Sequence, residues 1–479
     1  MQKKFVSSLL LLLLLNVLVK PLWIFGIDLT VQNRVGAEAY GLYAAIFSFT
    51  MIFNIVLDLG LTHFNNRSIA QNARQITENF SRLTILKVIL GVVYLLIAIA
   101  LGYFLSYTSI AFGLLVVLAL NQFLASFILF LRSHLAGLHL FKSDSLLSVL
   151  DKLLMIFTCG LLLFTDVLTT PFTIMHFAYA QMISYALAAI IGFAMVWQKI
   201  DHFSFNVDAG GYVAKLKDSL PYAVLILLMA LYTRVDSVML QQISGAFENG
   251  VYFQAFRLLD VVNQLGYLFA VLLLPIFSGM FSRNEDVKSL TRLAFSLIYT
   301  GALAIVVAGW FAAPQVMGSL YQEHSQLSTP VFKILIISSL AFGSTYVFGT
   351  LLTARGNLKA LNTVAFSGFV LNIILNFVLI PVYGANGAAV ATVFTQFATA
   401  VVQVYLSFRL AQMSFLPQYW LRLSAFTVLA VLASYGIWQT GINWMLFLMV
   451  STVCTTALAV PFKMLNVPAA IDLVRNRFK

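Results

Sequence analysis

Several charged residues stand inside stretches of this chain that are otherwise apolar. Five are basic: Lys20, Arg34, Arg234, Arg257 and Lys333. Four are acidic: Asp28, Asp58, Asp236 and Asp260. A charge at membrane depth is costly, so such residues pair with one another, face an interior or serve a function. The cations suit an anionic load, because guanidinium and ammonium groups bind phosphate and carboxylate oxygens by charge-assisted hydrogen bonds. The acids can bind a coupling proton or sodium ion, or simply balance the cations. Arg257 and Asp260 are three apart, share a helix face and can neutralise each other. Lys20 can pair with Asp58. In LYTRVDSVML, Arg234 and Asp236 are two apart, about 200° around a helix, so they address different surroundings. Asn372 and Asn376, at i and i+4, share a face and are expected to bond jointly to a neighbouring helix.

The elements that carry these residues are read from composition. Of 479 residues, 61% are hydrophobic and only 9% charged, against roughly a quarter charged in a soluble domain. Spans need about 20 apolar residues each, and the chain divides into fourteen. The start, MQKKFVSSLLLLLLL, resembles a secretory leader. No small-x-small cleavage site follows, so it reads as a retained first span. Placing the N-terminus in the cytoplasm puts 23 of the 28 lysines and arginines on that side, Lys87 and Lys152 among them. Both termini are therefore expected inside. The net charge of +11 is then a topology signal and a match to anionic lipid headgroups, not a nucleic-acid surface. The two cysteines, Cys159 and Cys454, have no metal or redox spacing. No Walker A sequence occurs. No metal or cofactor is implied.

Residues 36–47, GAEAYGLYAAIF, and 245–256, GAFENGVYFQAF, share five identities at an offset of 209. Six spans lie between equivalent points, which predicts a parallel repeat of two six-helix bundles. The expected domains are an N-terminal lobe (1–200), a cytoplasmic linker (201–218), a C-terminal lobe (219–410), and two further helices with a tail (411–479). Pro21 and Pro275 interrupt spans and are candidate hinges.

The segment LYTRVDSVMLQQISGAFENGVYFQAFRLLD resembles the start of the second half of bacterial polysaccharide and O-antigen flippases. GFVLNIILNFVLIPVYGANGAAVATVFTQ, at 368–396, is similar to their eleventh and twelfth spans. These proteins belong to the multidrug/oligosaccharidyl-lipid/polysaccharide exporter superfamily. The resemblance implies an all-α, V-shaped transporter of the bacterial inner membrane with a central cavity. It implies movement of a polyprenyl-pyrophosphate-linked oligosaccharide to the outer leaflet without ATP hydrolysis. Glycosyltransferases or a polymerase of the same pathway are the implied protein partners. Lys20, Arg234, Arg257 and Arg34 are then expected to handle the pyrophosphate or an anionic sugar. Arg234 is expected to face the cavity, and Asp236 to tie its helix to a neighbour. Three rivals remain: a cation/drug antiporter, a lipid II flippase and a membrane polysaccharide polymerase. The polymerase is disfavoured because the longest outer loop, at about 314–327, offers no convincing acid/base pair.

Overall fold

The computed structural model describes residues 15–16, 18–72, 76–105, 107, 109–200, 210–410 and 417–465. Helices dominate, and no strand occurs among the described residues. Eleven helices are long and apolar enough to cross a membrane. Two of them are double. Leu18–Ile52 is interrupted at Gly36 (φ 81°, ψ 168°), and Leu358–Leu410 at Gly384 (φ 53°, ψ −129°). Divided there, and with the shorter helix Trp444–Leu458 added, these segments accommodate fourteen passes.

The chain forms two compact units, Met1–Gln241 and Gln242–Lys479. The divide lies at the end of the seventh expected span, not in the linker expected at 201–218. The reason is visible in the burial: residues 249–256 are buried without interruption, so the core of the second unit starts there.

The first unit opens with a π-helical turn, Leu22–Asp28, entered from Pro21. Proline lacks an N–H and its ring crowds the preceding turn, and the widened turn begins at the next residue. There follow α1 (Leu29–Ile52), α2 (Ile55–Asp58), α3 (Leu61–Gln71) and α4 (Ile76–Phe104). The unit continues with α5 (Ser109–Gly137), α6 (Phe141–Phe164), α7 (Ile174–Trp197) and α8 (Gly210–Ser244). The second expected span is broken, because Leu59 (φ 44°) and Gly60 (φ 87°) are left-handed between α2 and α3. The hub is α5, which packs on α1, α3, α4, α6 and α7. Phe80, Leu83, Phe130, Leu131 and Leu147 fill one core cluster; Leu57, Tyr94, Ala98 and Ala119 fill another. One side of α4 leaves Val88, Ile89, Val92 and Leu96 exposed, as a lipid-facing surface requires.

The second unit holds α9 (Ala246–Ser282), α10 (Lys288–Phe311), α11 (Ala313–Leu320) and α12 (Ser325–Ala354). It ends with α13 (Leu358–Leu410), α14 (Pro417–Gln439) and α15 (Trp444–Leu458). Here α12 is the hub, packed against α9, α10, α11 and α13. Pro275 does not end α9, which runs on to Ser282 with the proline exposed. The two C-terminal helices dock on α10. Tyr299 meets Thr427 at 2.9 Å and Ser296 meets Tyr419 at 2.9 Å, while Phe426 and Ala430 enter the core.

Candidate functional site

Among the polar centres of the first unit's described residues, three hold the expected charges Lys20, Asp58 and Asp28. The first surrounds Lys20, which is half-buried just ahead of the π-helical turn. Its charged neighbours are Lys152, Asp151 and Arg132. Lys152 and Asp151 come from α6, with Nζ and Oδ2 3.2 Å apart. The same ammonium donates to the Tyr185 hydroxyl at 3.3 Å. It also lies 5.6 Å from the Trp23 ring centroid and 5.2 Å from that of Tyr185, a cation–π arrangement worth roughly 0.5–2 kcal/mol. Trp23 is held in turn by stacking on Phe177. Arg132 Nε donates to Asp144 Oδ1 at 2.7 Å. Asp144 and Asp151 are seven residues apart on α6, two turns and about 10 Å along one face. The cluster therefore runs from the end of α6 towards its middle. It counts three cations against two carboxylates, and Lys20 has no ion pair among the described residues.

The second centre is at the break in the second span. Lys87 of α4, fully buried, lies 3.2 Å from Asp58 Oδ1 and donates to Ser126 Oγ at 2.8 Å. Asp58 also accepts from the Thr62 hydroxyl and, at 3.3 Å, from the Thr62 amide. Asp58 thus pairs with Lys87, which corrects the expected pairing with Lys20. The break after Asp58 leaves its carboxylate beside α4, whereas Lys20 keeps company with α6. The third centre is Asp28, only 2% exposed. It accepts from Tyr40 at 2.8 Å and from Gln32 at 3.4 Å. Nearby, Tyr43 exchanges hydrogen bonds with Gln181 of α7, at 2.8 and 3.2 Å.

The other expected residues are more dispersed. Arg34 is exposed on α1. On α8, Asp236 is buried and Arg234 half-buried, consistent with their different headings on the helix. Arg257 and Asp260 are half-buried on α9 in the second unit, and Tyr346 of α12 lies close to Asp260. Asn376 Nδ2 donates to Asn372 Oδ1 at 3.0 Å, both residues being buried. That bond lies within α13. Between helices of the same unit, the Tyr252 hydroxyl of α9 meets that of Thr392 of α13 at 3.2 Å. Glu248 accepts from the Ala385 amide at 2.8 Å. The bend at Gly384 permits this, since a Cβ there would collide with the Glu248 carboxylate.

The sequence reading missed Lys87, Lys152, Asp151, Arg132 and Asp144. For the two lysines a signal existed. Each falls inside its expected span, yet was counted with the basic residues of the cytoplasmic side.

The profile of a family described as "Polysaccharide biosynthesis protein" matches residues 5–281. An uncharacterized membrane protein of Methanocaldococcus jannaschii, MJ1375, is 22% identical over 394 residues, covering 78% of this chain and 91% of that one. A Shigella dysenteriae protein provisionally named an O-antigen transporter is 21% identical over 379 residues, covering 77% and 92%. Among solved structures, the lipid II flippase MurJ in an inward closed conformation superposes with a TM-score of 0.71. It is 14% identical, and the match spans 96% of this chain and 100% of that one. An inward-facing multidrug resistance MATE family transporter of the MOP superfamily gives 0.66 at 16% identity, over 81% and 94%. The fold is therefore that of MurJ and the MATE transporters.

Proposed function

The chain belongs to the polysaccharide biosynthesis protein family, and from that premise we propose that it is a flippase for a polyprenyl-pyrophosphate-linked oligosaccharide. It moves this load from the inner to the outer leaflet of a bacterial inner membrane by alternating access, with both termini in the cytoplasm. The observation that carries the reading is Lys20, a cation without an ion pair among the described residues, set beside two further cations, Lys152 and Arg132. Holding a lysine at membrane depth costs about 3 kcal/mol on insertion scales, and like charges nearby add to that. An anionic headgroup offsets both. Ammonium and guanidinium groups are the natural partners of a pyrophosphate. Arg34, Arg234 and Arg257 are carried as further cations of the transport cycle, each open to the same test.

The test is a strain lacking this protein and complemented with variants. Wild type should restore surface glycan, and the empty strain should accumulate lipid-linked repeat units inside. Lys20→Ala should insert normally and cut glycan output at least tenfold. Full output from Lys20→Ala would remove the site from the proposal. Absence of accumulated lipid-linked units in the empty strain would remove the reaction.

A further inference from the structure

A transport site must hold its load and then let it go, and binding that is too tight blocks the second step. Within the Lys20 cluster the cations are not equivalent. Lys20 lacks an ion pair among the described residues. Arg132 is committed to Asp144 through its Nε, at 2.7 Å. Lys152 is intermediate: its ammonium touches Asp151, the Tyr185 hydroxyl and the Trp23 face together. Asp151 is its chain neighbour, so it can give up Lys152 and reclaim it by side-chain rotation alone. Both side chains keep some exposure, 23% for Lys152 and 17% for Asp151, so an incoming anion can reach them. Tyr185 and Trp23 meanwhile hold the ammonium in place whichever anion it faces.

Resting on the headgroup reading above, we infer that Asp151 is the release residue of this site. It is an internal carboxylate that competes with the anionic headgroup for the Lys152 ammonium and takes it back as the load leaves. The role is one of positioning: Asp151 acts through Lys152 and does not itself hold the substrate. Without the carboxylate, Lys152 and Lys20 would face each other as two cations lacking a local counter-ion. Any bound pyrophosphate would then be held harder.

The test uses the full chain in nanodiscs and in proteoliposomes. Binding is measured with farnesyl pyrophosphate, with farnesol as the control for the tail. Transport is followed with a fluorescent polyprenyl-pyrophosphate disaccharide, read by its accessibility to an external quencher. Asp151→Asn should bind the pyrophosphate roughly tenfold more tightly, the scale of one charge-assisted hydrogen bond, and should flip the disaccharide more slowly. Asp151→Glu should return both values towards wild type. Unchanged or weaker binding by Asp151→Asn would overturn the inference, and so would tighter binding with undiminished flipping. Should Asp151→Asn fail to insert, Asp151→Ser carries the same comparison. A separate outcome concerns the underlying reading: if neither Lys20→Ala nor Lys152→Gln weakens pyrophosphate binding, the headgroup site itself is wrong.

Discussion

The two units share a backbone feature at the repeated segment and set different side chains around it. Gly36 and Gly245, equivalent in the repeated segment, adopt nearly the same backbone, φ 81° and ψ 168° against φ 91° and ψ 176°. Side chains other than hydrogen rarely tolerate that region. Tyr43 and Tyr252, equivalent again, each bond across to a late helix of their own unit, at Gln181 of α7 and Thr392 of α13. The hubs α5 and α12 are the fourth and tenth expected spans, six apart. Inside the first unit lie Lys87–Asp58, Arg132–Asp144 and Lys152–Asp151. The second holds an amide pair, Asn372–Asn376, a hydroxyl pair, Tyr252–Thr392, the Glu248 carboxylate on the Ala385 amide, and the half-buried Arg257 and Asp260. The backbone feature occurs in both units, and both hold charged residues away from full exposure, Lys87 and Asp58 in one and Arg257 and Asp260 in the other.

The comparison can be broken most sharply at Lys87. Lys87→Met strands Asp58 beside an apolar neighbour. Removing one partner of a buried pair costs about 3–5 kcal/mol, and the partial exposure of Asp58 points to the lower end. Lys87→Met with Asp58→Asn should recover most of it. Unfolding of the detergent-solubilised protein would measure both, and equal stability of the single and double variants would mean that the pair is not a structural unit. Next in size are the two glycines. Gly36→Val and Gly245→Val should each cost about 1–3 kcal/mol through backbone strain, because at Gly245 no neighbouring atom stands in the way of a side chain. Losses of similar size would sharpen the shared scaffold; a loss at one position alone would break it. The smallest effect is expected at Asn376→Leu, about 0.6 kcal/mol, as for hydrogen bonds inside membrane proteins generally. A loss beyond 2 kcal/mol there would place the amides on a par with the ion pairs of the first unit.

Much of the scaffold was legible in the sequence. Apolar runs located the helices, the repeated segment brought Gly36 and Gly245 into register without announcing a break at either, and Pro21 marked the disturbance in the first span. The break at Leu59 was not legible, because nothing about a leucine announces a left-handed backbone. The pairing of charges was the weakest reading. A period of 3.6 tells which residues share a face, but not which neighbour that face meets. So Lys20 is matched with Asp58 from the sequence, while Lys87, Asp58's actual partner, is counted only as a topology signal. Positive-inside counting also treats every lysine near an inner span end alike. Lys152 satisfied the rule and was counted, although its ammonium is spent on Asp151, Tyr185 and Trp23.

The π-helical turn at Leu22–Asp28 has a consequence for phase. Such a turn amounts to an α-helix that has accepted one additional residue. Deleting any one residue between Leu22 and Asp28 would let the helix relax to the ordinary pitch. Hydropathy would barely register the change. Because the widened turn absorbs that residue, the segments on either side would keep nearly the same relative heading, and Lys20 would stay close to Lys152. Deleting one residue from the regular helix that follows, between Leu29 and Val35, would instead turn Lys20 by about 100° relative to the rest of α1, so the widened turn is the place where the first span can lose a residue without re-aiming Lys20.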